Sequence, residues 1–298
     1  MTNFADDLTR AIRQTKTPLC VGLDPFPDQI PAIFGAQGKL ETLEAFFTAV
    51  LDALAGKVPV VKPQIGLFEP WGSEGVALVG RLSAYAKSKG LMVILDAKRG
   101  DIGSTAEGYA RAYLGADAQI KCDCITINPY LGIDSLEPFA AMAQSQGKGI
   151  AVLVRTSNPG AQDFQDLMVD GAPLWTRVGE KLQGLEARLM GACGFSSLMV
   201  VCGATWPQEA QRLRAILPKS LFLVPGYGAQ GGAAREALAG LVVGPSGPEG
   251  GVVSSSRGIL YPKGASTATD LTPWRAIFDA NLTAAIDDLR AASEPVVT

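Results

Sequence analysis

The architecture of this chain can be inferred from one segment, Leu91-Met-Val-Ile-Leu-Asp96-Ala-Lys98-Arg-Gly100-Asp101-Ile-Gly-Ser-Thr105. Its leading apolar run is too short for a buried helix and predicts a strand that is buried on both faces. Ser104 and Glu107 have the spacing of a capping box, which predicts that a helix begins here. Asp96 and Lys98 are two residues apart, so at a strand end they project from the same face. Such charges form either a structural ion pair or a functional site.

The same alternation of strand-like and helix-like segments continues along the whole chain. Eight short apolar runs predict strands, at residues 18–23, 58–61, 91–95, 124–127, 149–154, 198–201, 221–224 and 251–253. Strands that alternate with helices form parallel sheets, and eight repeats predict closure into an α/β protein of the (β/α)₈ TIM-barrel class. We expect one domain over residues 1–298. The alternative is an open doubly wound sheet, but no Gly-x-Gly-x-x-Gly motif follows the first strand.

One long segment without clear periodicity, at about residues 158–171, follows the fifth predicted strand. In a barrel, a segment that leaves from the carboxyl end of a strand lies at the mouth. We therefore expect a lid-like insertion there.

Composition limits the classes of function. The net charge is −3 and basic residues form no block, which argues against nucleic acid or an anionic membrane as a partner. No apolar run approaches the length of a membrane span. The chain contains no histidine, the commonest general base and metal ligand, so we expect no metal site. The five cysteines lie mostly in apolar runs without a Cys-x-x-Cys motif, which predicts buried thiols in a reducing cytoplasm.

In a barrel, the carboxyl ends of all strands meet at one mouth, where the active sites of this fold lie. The mouth is predicted to collect Asp24, Lys62, Asp96, Lys98, Asp101, Asn128, Ser157, Gln230 and Arg257. Carboxylates near the two lysines would keep them charged. A charged lysine in that setting acts as a general acid rather than as a Schiff-base nucleophile.

A phosphate site is predicted at the ends of the last two strands. The glycine-rich segment 225–232 includes Pro225 and Gly226, and the run 254–258 includes Arg257. These loops are the usual phosphate site of (β/α)₈ barrels, and an arginine adds a bidentate cation.

With these motifs assembled, the chain closely resembles the orotidine 5′-phosphate decarboxylase family, in particular its longer bacterial group. The matching motifs are Gly22-Leu-Asp24-Pro25, Lys62-Pro-Gln64, Leu95-Asp96-Ala-Lys98-Arg-Gly-Asp101-Ile102-Gly-Ser-Thr105, Thr126-Ile-Asn128-Pro129-Tyr130, Arg155-Thr-Ser157-Asn-Pro159-Gly160, Val224-Pro225-Gly226-Tyr-Gly228-Ala-Gln230 and Ser256-Arg257.

The resemblance implies a homodimer that decarboxylates orotidine 5′-phosphate to UMP in pyrimidine biosynthesis without metal or organic cofactor. It implies that Lys98 is the proton donor and that Lys62, Asp96 and Asp101 complete a charged array. Further substrate contacts are implied for Asp24 at the ribose, Ser157 at the pyrimidine, Gln230 and Arg257 at the phosphate, and for Asn128, Pro225 and Gly226. Residues matching Asp101, Ile102 and Thr105 reach the neighbouring subunit's site in the family.

Two alternatives stay open. Sugar-phosphate decarboxylases and synthases of the same superfamily share the Asp-x-Lys-x-x-Asp element but use Mg²⁺, with a glutamate where Lys62 stands here. A cation at that position would repel the metal. The other alternative is a non-catalytic barrel that only binds a nucleotide, which would need the phosphate loops but not the two lysines.

Overall fold

Eight parallel strands close into a barrel in the computed structural model, which describes residues 3–228 and 231–294. The strand order around the barrel is β1-β12-β9-β8-β5-β4-β3-β2, and two hairpins, β6–β7 and β10–β11, lie outside it. The predicted (β/α)₈ architecture is confirmed. The strands are β1 (Leu19–Leu23), β2 (Val60–Pro63), β3 (Met92–Arg99), β4 (Cys124–Ile127), β5 (Gly149–Arg155), β6 (Met168–Val169), β7 (Ala172–Pro173), β8 (Ser196–Cys202), β9 (Ser220–Pro225), β10 (Val242–Gly244), β11 (Gly247–Glu249) and β12 (Gly251–Ser255).

Helices cover the outside of the barrel between these strands. They are α1 (Phe4–Thr15), α2 (Leu40–Leu54), α3 (Gly72–Ser88), α4 (Gly103–Leu114), α5 (Glu137–Gln146), α6 (Gln162–Gln165), α7 (Leu174–Lys181), α8 (Gln183–Arg188), α9 (Pro207–Ile216), α10 (Ala234–Ala237), α11 (Arg257–Leu260) and α12 (Leu271–Ser293). Between β7 and β8 the chain forms two consecutive helices, α7 and α8, which meet at Leu182.

The strands of the barrel are largely apolar because both of their faces are buried. In β1, Leu19 and Val21 pack outward against the helices, whereas Cys20 packs into the barrel interior with Val60 and Ile94 of the next two strands. Alternate residues therefore serve two different cores, as in other barrels of this class.

Helix α1 closes the amino-terminal end of the barrel. Phe4, Leu8 and Ile12 on one face of α1 join the interior cluster. Phe4 packs so closely on β5 that a Cβ atom at Gly149 would lie 2.3 Å from its ring. This end is filled by side chains, and the open end is the carboxyl end of the strands.

The end of β3 departs from regular strand geometry. The register to β4 shifts between Leu95 and Arg99, and Lys98 has a left-handed backbone with φ of 47°. Such a conformation is uncommon for a residue other than glycine. The predicted capping box is wrong: α4 begins at Gly103, so Ser104 lies inside the first turn and makes no capping hydrogen bond.

The insertion at 158–171 is more regular than its sequence suggests. It contains a 3₁₀ turn at Pro159–Ala161, helix α6 and the strand β6, which pairs with β7. Its short elements escape detection by periodicity because none exceeds four residues.

Candidate active site

The open end of the barrel holds a cavity of about 1160 Å³. Nine residues that the sequence predicted for the mouth line this cavity: Asp24, Lys62, Asp96, Lys98, Asn128, Ser157, Pro225, Gly226 and Arg257. They come from the ends of seven different strands, and they meet because parallel strands place all their carboxyl ends together.

The centre of the site is the carboxylate of Asp96, which two lysines share. Lys62 Nζ lies 2.9 Å from Asp96 Oδ2, and Lys98 Nζ lies 2.5 Å from Oδ1. The hydroxyl of Thr126 donates a hydrogen bond to the same Oδ1 atom at 3.0 Å. It also accepts hydrogen bonds from the backbone N–H groups of Ala97 and Lys98, which fixes the irregular end of β3. The carboxylate is thus held on both oxygens.

The electrostatics of this array keep its buried members ionised. Burial by itself would raise the pKa of Asp96, but the positive charges of Lys62 and Lys98 outweigh burial and hold that pKa well below its usual range. Burial would likewise lower the pKa of Lys62, but Asp96 and then Asp24 outweigh it and raise that pKa above its usual value. Lys98 differs from Lys62 in exposure, since about half of its side chain is accessible from the cavity. An accessible ammonium therefore lies beside a buried carboxylate.

A second polar wall is formed by Asp24 and Ser256. Asp24 Oδ1 and Ser256 Oγ are buried and have no hydrogen-bond partner among the described residues. Both groups lie beside Gly22, where a Cβ atom would come within 2.7 Å of Ser256 Oγ and 3.3 Å of Asp24 Oδ1. The Tyr261 hydroxyl donates a hydrogen bond to the Asp24 carbonyl oxygen, which anchors the backbone of this wall. Buried polar atoms without partners are rare, and both residues belong to the lining of the cavity.

The predicted phosphate loops lie on the same side of the mouth. Pro225 and Gly226 line the cavity, and Gly226 has φ of 101°, a conformation that glycine adopts without strain. Arg257 is exposed at the rim, with its guanidinium 5.9 Å from the centre of the Phe26 ring. Gln230 lies outside the described residues.

Three predicted site residues do not line the cavity of their own chain. Asp101 is half-buried, and its carboxylate accepts a hydrogen bond from the N–H of Ile102. Ile102 is 58% exposed, and Thr105 is exposed on the first turn of α4. The fold therefore places these residues on the outer rim.

Several cavity residues were missed by sequence reasoning. Gln64 shares a strand face with Lys62, two residues away, and that alternation could have identified it. Thr126 and Phe26 carry no comparable signal, because a threonine in a strand and an aromatic residue in a loop are ordinary. The contribution of Thr126 becomes visible only from its contacts with Asp96.

The fold and the site define a class: a (β/α)₈ barrel with a hydrogen-bonded Lys–Asp–Lys array at the carboxyl end of its strands. A family model described as "Orotidine 5′-phosphate decarboxylase / HUMPS family" matches residues 17–261, and the chain belongs to this family.

Individual relatives extend the likeness over most of the chain. The chain is 40% identical to an orotidine 5′-phosphate decarboxylase of Rhodopirellula baltica, over 92% of this chain and 95% of the relative. It is 42% identical to the orotidine 5′-phosphate decarboxylase of Clostridium novyi, over 82% of this chain and 84% of the relative. The solved structure of Leishmania donovani OMP decarboxylase is 29% identical and superposes with a TM-score of 0.75, over 98% and 99% of the two chains. No helix among residues 3–228 and 231–294 is long and apolar enough to span a membrane.

Proposed function

We propose that this chain decarboxylates orotidine 5′-phosphate to UMP and CO₂ in pyrimidine biosynthesis. The observation that carries the proposal is the array of Lys62, Asp96 and Lys98 at the mouth of the barrel. Membership in the family and relatives of 40% identity that carry this activity support it.

The proposed chemistry needs one positively charged group beside the carbon that loses CO₂. The bond between C6 of the pyrimidine and its carboxylate breaks, CO₂ leaves, and the electron pair stays on C6. The ammonium of Lys98 stabilises this developing charge and then donates its proton to C6, after which water protonates the lysine again. A preorganised charge in a site with little water stabilises such a transition state strongly. Asp96 holds the ammonium of Lys98 in place.

The remaining residues are proposed to bind the parts of the substrate that do not react. Asp24 binds the ribose hydroxyls and Ser157 contacts the pyrimidine, since both residues line the cavity. Arg257 and the loop of Pro225 and Gly226 bind the phosphate, together with Gln230. Binding energy from the phosphate is then available to order the reacting end of the site.

The insertion at 158–171 is proposed to act as a lid over the site. Asn158, Phe164 and Gln165 of this segment line the cavity beside Ser157. A lid in this place would exclude water from the carbanion-like charge and so prevent its screening.

We also propose that the active form is a homodimer in the cytoplasm. Asp101, Ile102 and Thr105 lie on the rim of the cavity of their own chain, where they could enter the site of a neighbour. The 58% exposure of Ile102 supports this, because a large apolar side chain gains from burial in an interface. Five free cysteines, four of them buried, are consistent with a reducing compartment.

The Mg²⁺-dependent sugar-phosphate reaction is disfavoured by Lys62. Its ammonium is buried beside Asp96, so a divalent cation there would meet a fixed positive charge. Among residues 3–228 and 231–294, no specific contact favours this second reaction.

The proposal is tested by adding EDTA-treated protein to orotidine 5′-phosphate and following the ultraviolet absorbance. We expect loss of the substrate signal with formation of UMP. If activity appeared only with Mg²⁺ and a sugar phosphate, the proposed reaction would be wrong and the Mg²⁺-dependent sugar-phosphate reaction would take its place. Heat release on binding UMP without turnover of either substrate would indicate a binding protein.

A further inference from the structure

The carboxyl end of β5 contains an arginine that the proposed chemistry does not use. Arg155 is the last residue of this strand and only 1% exposed. It lies two residues before Ser157, whose neighbours line the cavity. A buried guanidinium is costly unless charged or aromatic groups surround it, so its partners indicate what it holds.

Those partners come from two other parts of the chain. Arg155 Nη1 lies 2.8 Å from Oδ1 of Asp166 in the insertion. Its Cζ atom lies 4.0 Å from the centre of the Trp206 ring, in the connection between β8 and α9. Glu209 at the start of α9 lies 3.9 Å away. The arginine therefore joins the strand end, the insertion and the next loop of the barrel mouth.

The same three elements clamp the backbone that precedes Ser157. The N–H of Thr156 donates to the side-chain carbonyl of Gln165, and the Gln165 amide donates back to the Thr156 hydroxyl. The indole N–H of Trp206 donates to the Thr156 carbonyl oxygen at 3.0 Å. Both backbone polar groups of Thr156 are thus bound by side chains whose positions depend on the Arg155 cluster.

Ser157 itself is packed against the same unit. A Cβ atom at Gly203 would lie 2.8 Å from Ser157 Cβ, and the Gly203 N–H donates to the Arg155 carbonyl oxygen. Ser157 therefore lies between the closely packed loop at Gly203 and the insertion, which the ion pair of Asp166 attaches to the barrel.

We infer that Arg155 is a positioning residue, whose ion pair with Asp166 holds the insertion closed over Ser157. Asp166 is 40% exposed, so the attachment can open without bringing the arginine into water. The affinity of a ligand falls in proportion to the fraction of protein in the competent conformation. Loosening this ion pair then weakens the binding of substrate and transition state equally, which raises KM and leaves kcat unchanged.

The test compares Asp166→Asn with Asp163→Asn, a matched control in the same insertion. The carboxylate of Asp163 makes no ion pair within residues 3–228 and 231–294, so the same charge is removed without touching Arg155. We expect Asp166→Asn to raise KM about fivefold at constant kcat, as for a closed fraction reduced to about one fifth. Asp163→Asn should keep the wild-type KM, and Asp166→Glu should recover most of the loss. A lowered kcat with unchanged KM, or an equal rise in KM for Asp163→Asn, would overturn the inference.

A second measurement does not depend on the proposed function, on which the kinetic readout rests. Chymotrypsin cleaves after exposed large apolar residues, and Phe164 and Leu167 in the insertion are 64% and 53% exposed. We expect faster cleavage in this segment for Asp166→Asn than for the wild type or Asp163→Asn. If the wild type did not turn over orotidine 5′-phosphate, the proposed function would be wrong, but the cleavage result would still test the role of Arg155. Equal cleavage of all three proteins would instead overturn the role of Arg155.

Discussion

Lys62 Nζ and Asp96 Oδ2 lie 2.9 Å apart, with 8% and 11% of the two side chains exposed. Each group keeps the other ionised in a place where either charge alone would be unfavourable. This mutual dependence gives the site its fixed charges. It also makes the stability of the barrel depend on pH in both the acidic and the alkaline range.

Asp96→Asn tests this dependence. The pKa of Asp96 is lowered in the fold, so its contribution to stability is complete above the unfolded value of about 4 and is lost as pH falls toward the folded pKa. The pKa of Lys62 is raised, so its contribution is complete below about 10.4 and is lost as pH rises through the folded pKa. We expect Asp96→Asn to cost about 3–5 kcal/mol at pH 7, because Lys62 stays buried without its partner. Thermal unfolding should show the difference in stability between wild type and variant narrowing as pH falls below about 4, because the unfolded wild-type chain then binds a proton that the folded Asp96 carboxylate does not. If the stability difference between wild type and Asp96→Asn did not change with pH, the lowered pKa of Asp96 would be contradicted.

Lys98→Ala should abolish turnover while UMP binding persists. The variant lacks both the proton donor and the charge that stabilises C6, so we expect a loss of roughly 10³-fold or more in kcat. Rates of decarboxylation and calorimetric titration with UMP measure the two properties separately. Lys121→Ala, an exposed lysine that precedes β4 at the opposite end of the barrel, is the control and should remain active. Near-normal activity of Lys98→Ala would exclude this residue as the acid.

Arg257→Ala should weaken the binding of UMP far more than that of uridine. A hydrogen bond to a charged group contributes about 1.5–3 kcal/mol, and a bidentate contact can exceed that. Because Arg257 is exposed, its replacement should leave the fold unchanged, and thermal unfolding checks this. Equal losses for UMP and uridine would show that Arg257 does not bind the phosphate.

Subunit complementation tests whether Asp101 serves a neighbour. Lys98→Ala and Asp101→Ala should each be inactive alone. When the two are co-expressed, random pairing in a two-fold dimer leaves roughly a quarter of all sites with both native residues. Activity should therefore recover to roughly a quarter of the wild-type value. Pairing Lys98→Ala with Lys62→Ala is the control, since both residues act in one chain's cavity and no native site can form. Absence of recovery in the first pair would place Asp101 in the site of its own chain.

Much of the fold was predictable from local sequence. The runs around Leu91 and Gly149 are apolar at every position, because barrel strands are buried on both faces, and this pattern needs no tertiary contact to be recognised. The order of strands then brings their polar ends together. Asp24, Lys62 and Asp96 could therefore be assigned to one mouth before any distance was known.

Local sequence was enough to predict the barrel, its open end and nine of the residues that line its cavity. Only the tertiary structure decided which charges touch, that Thr126 holds Asp96, and that Arg155 joins Asp166 to the barrel. It also decided that Ile102 is exposed and does not line the cavity of its own chain. The physical reason is distance along the chain. Strand periodicity is a local property, whereas hydrogen bonds and ion pairs between residues tens of positions apart depend on how the whole barrel closes.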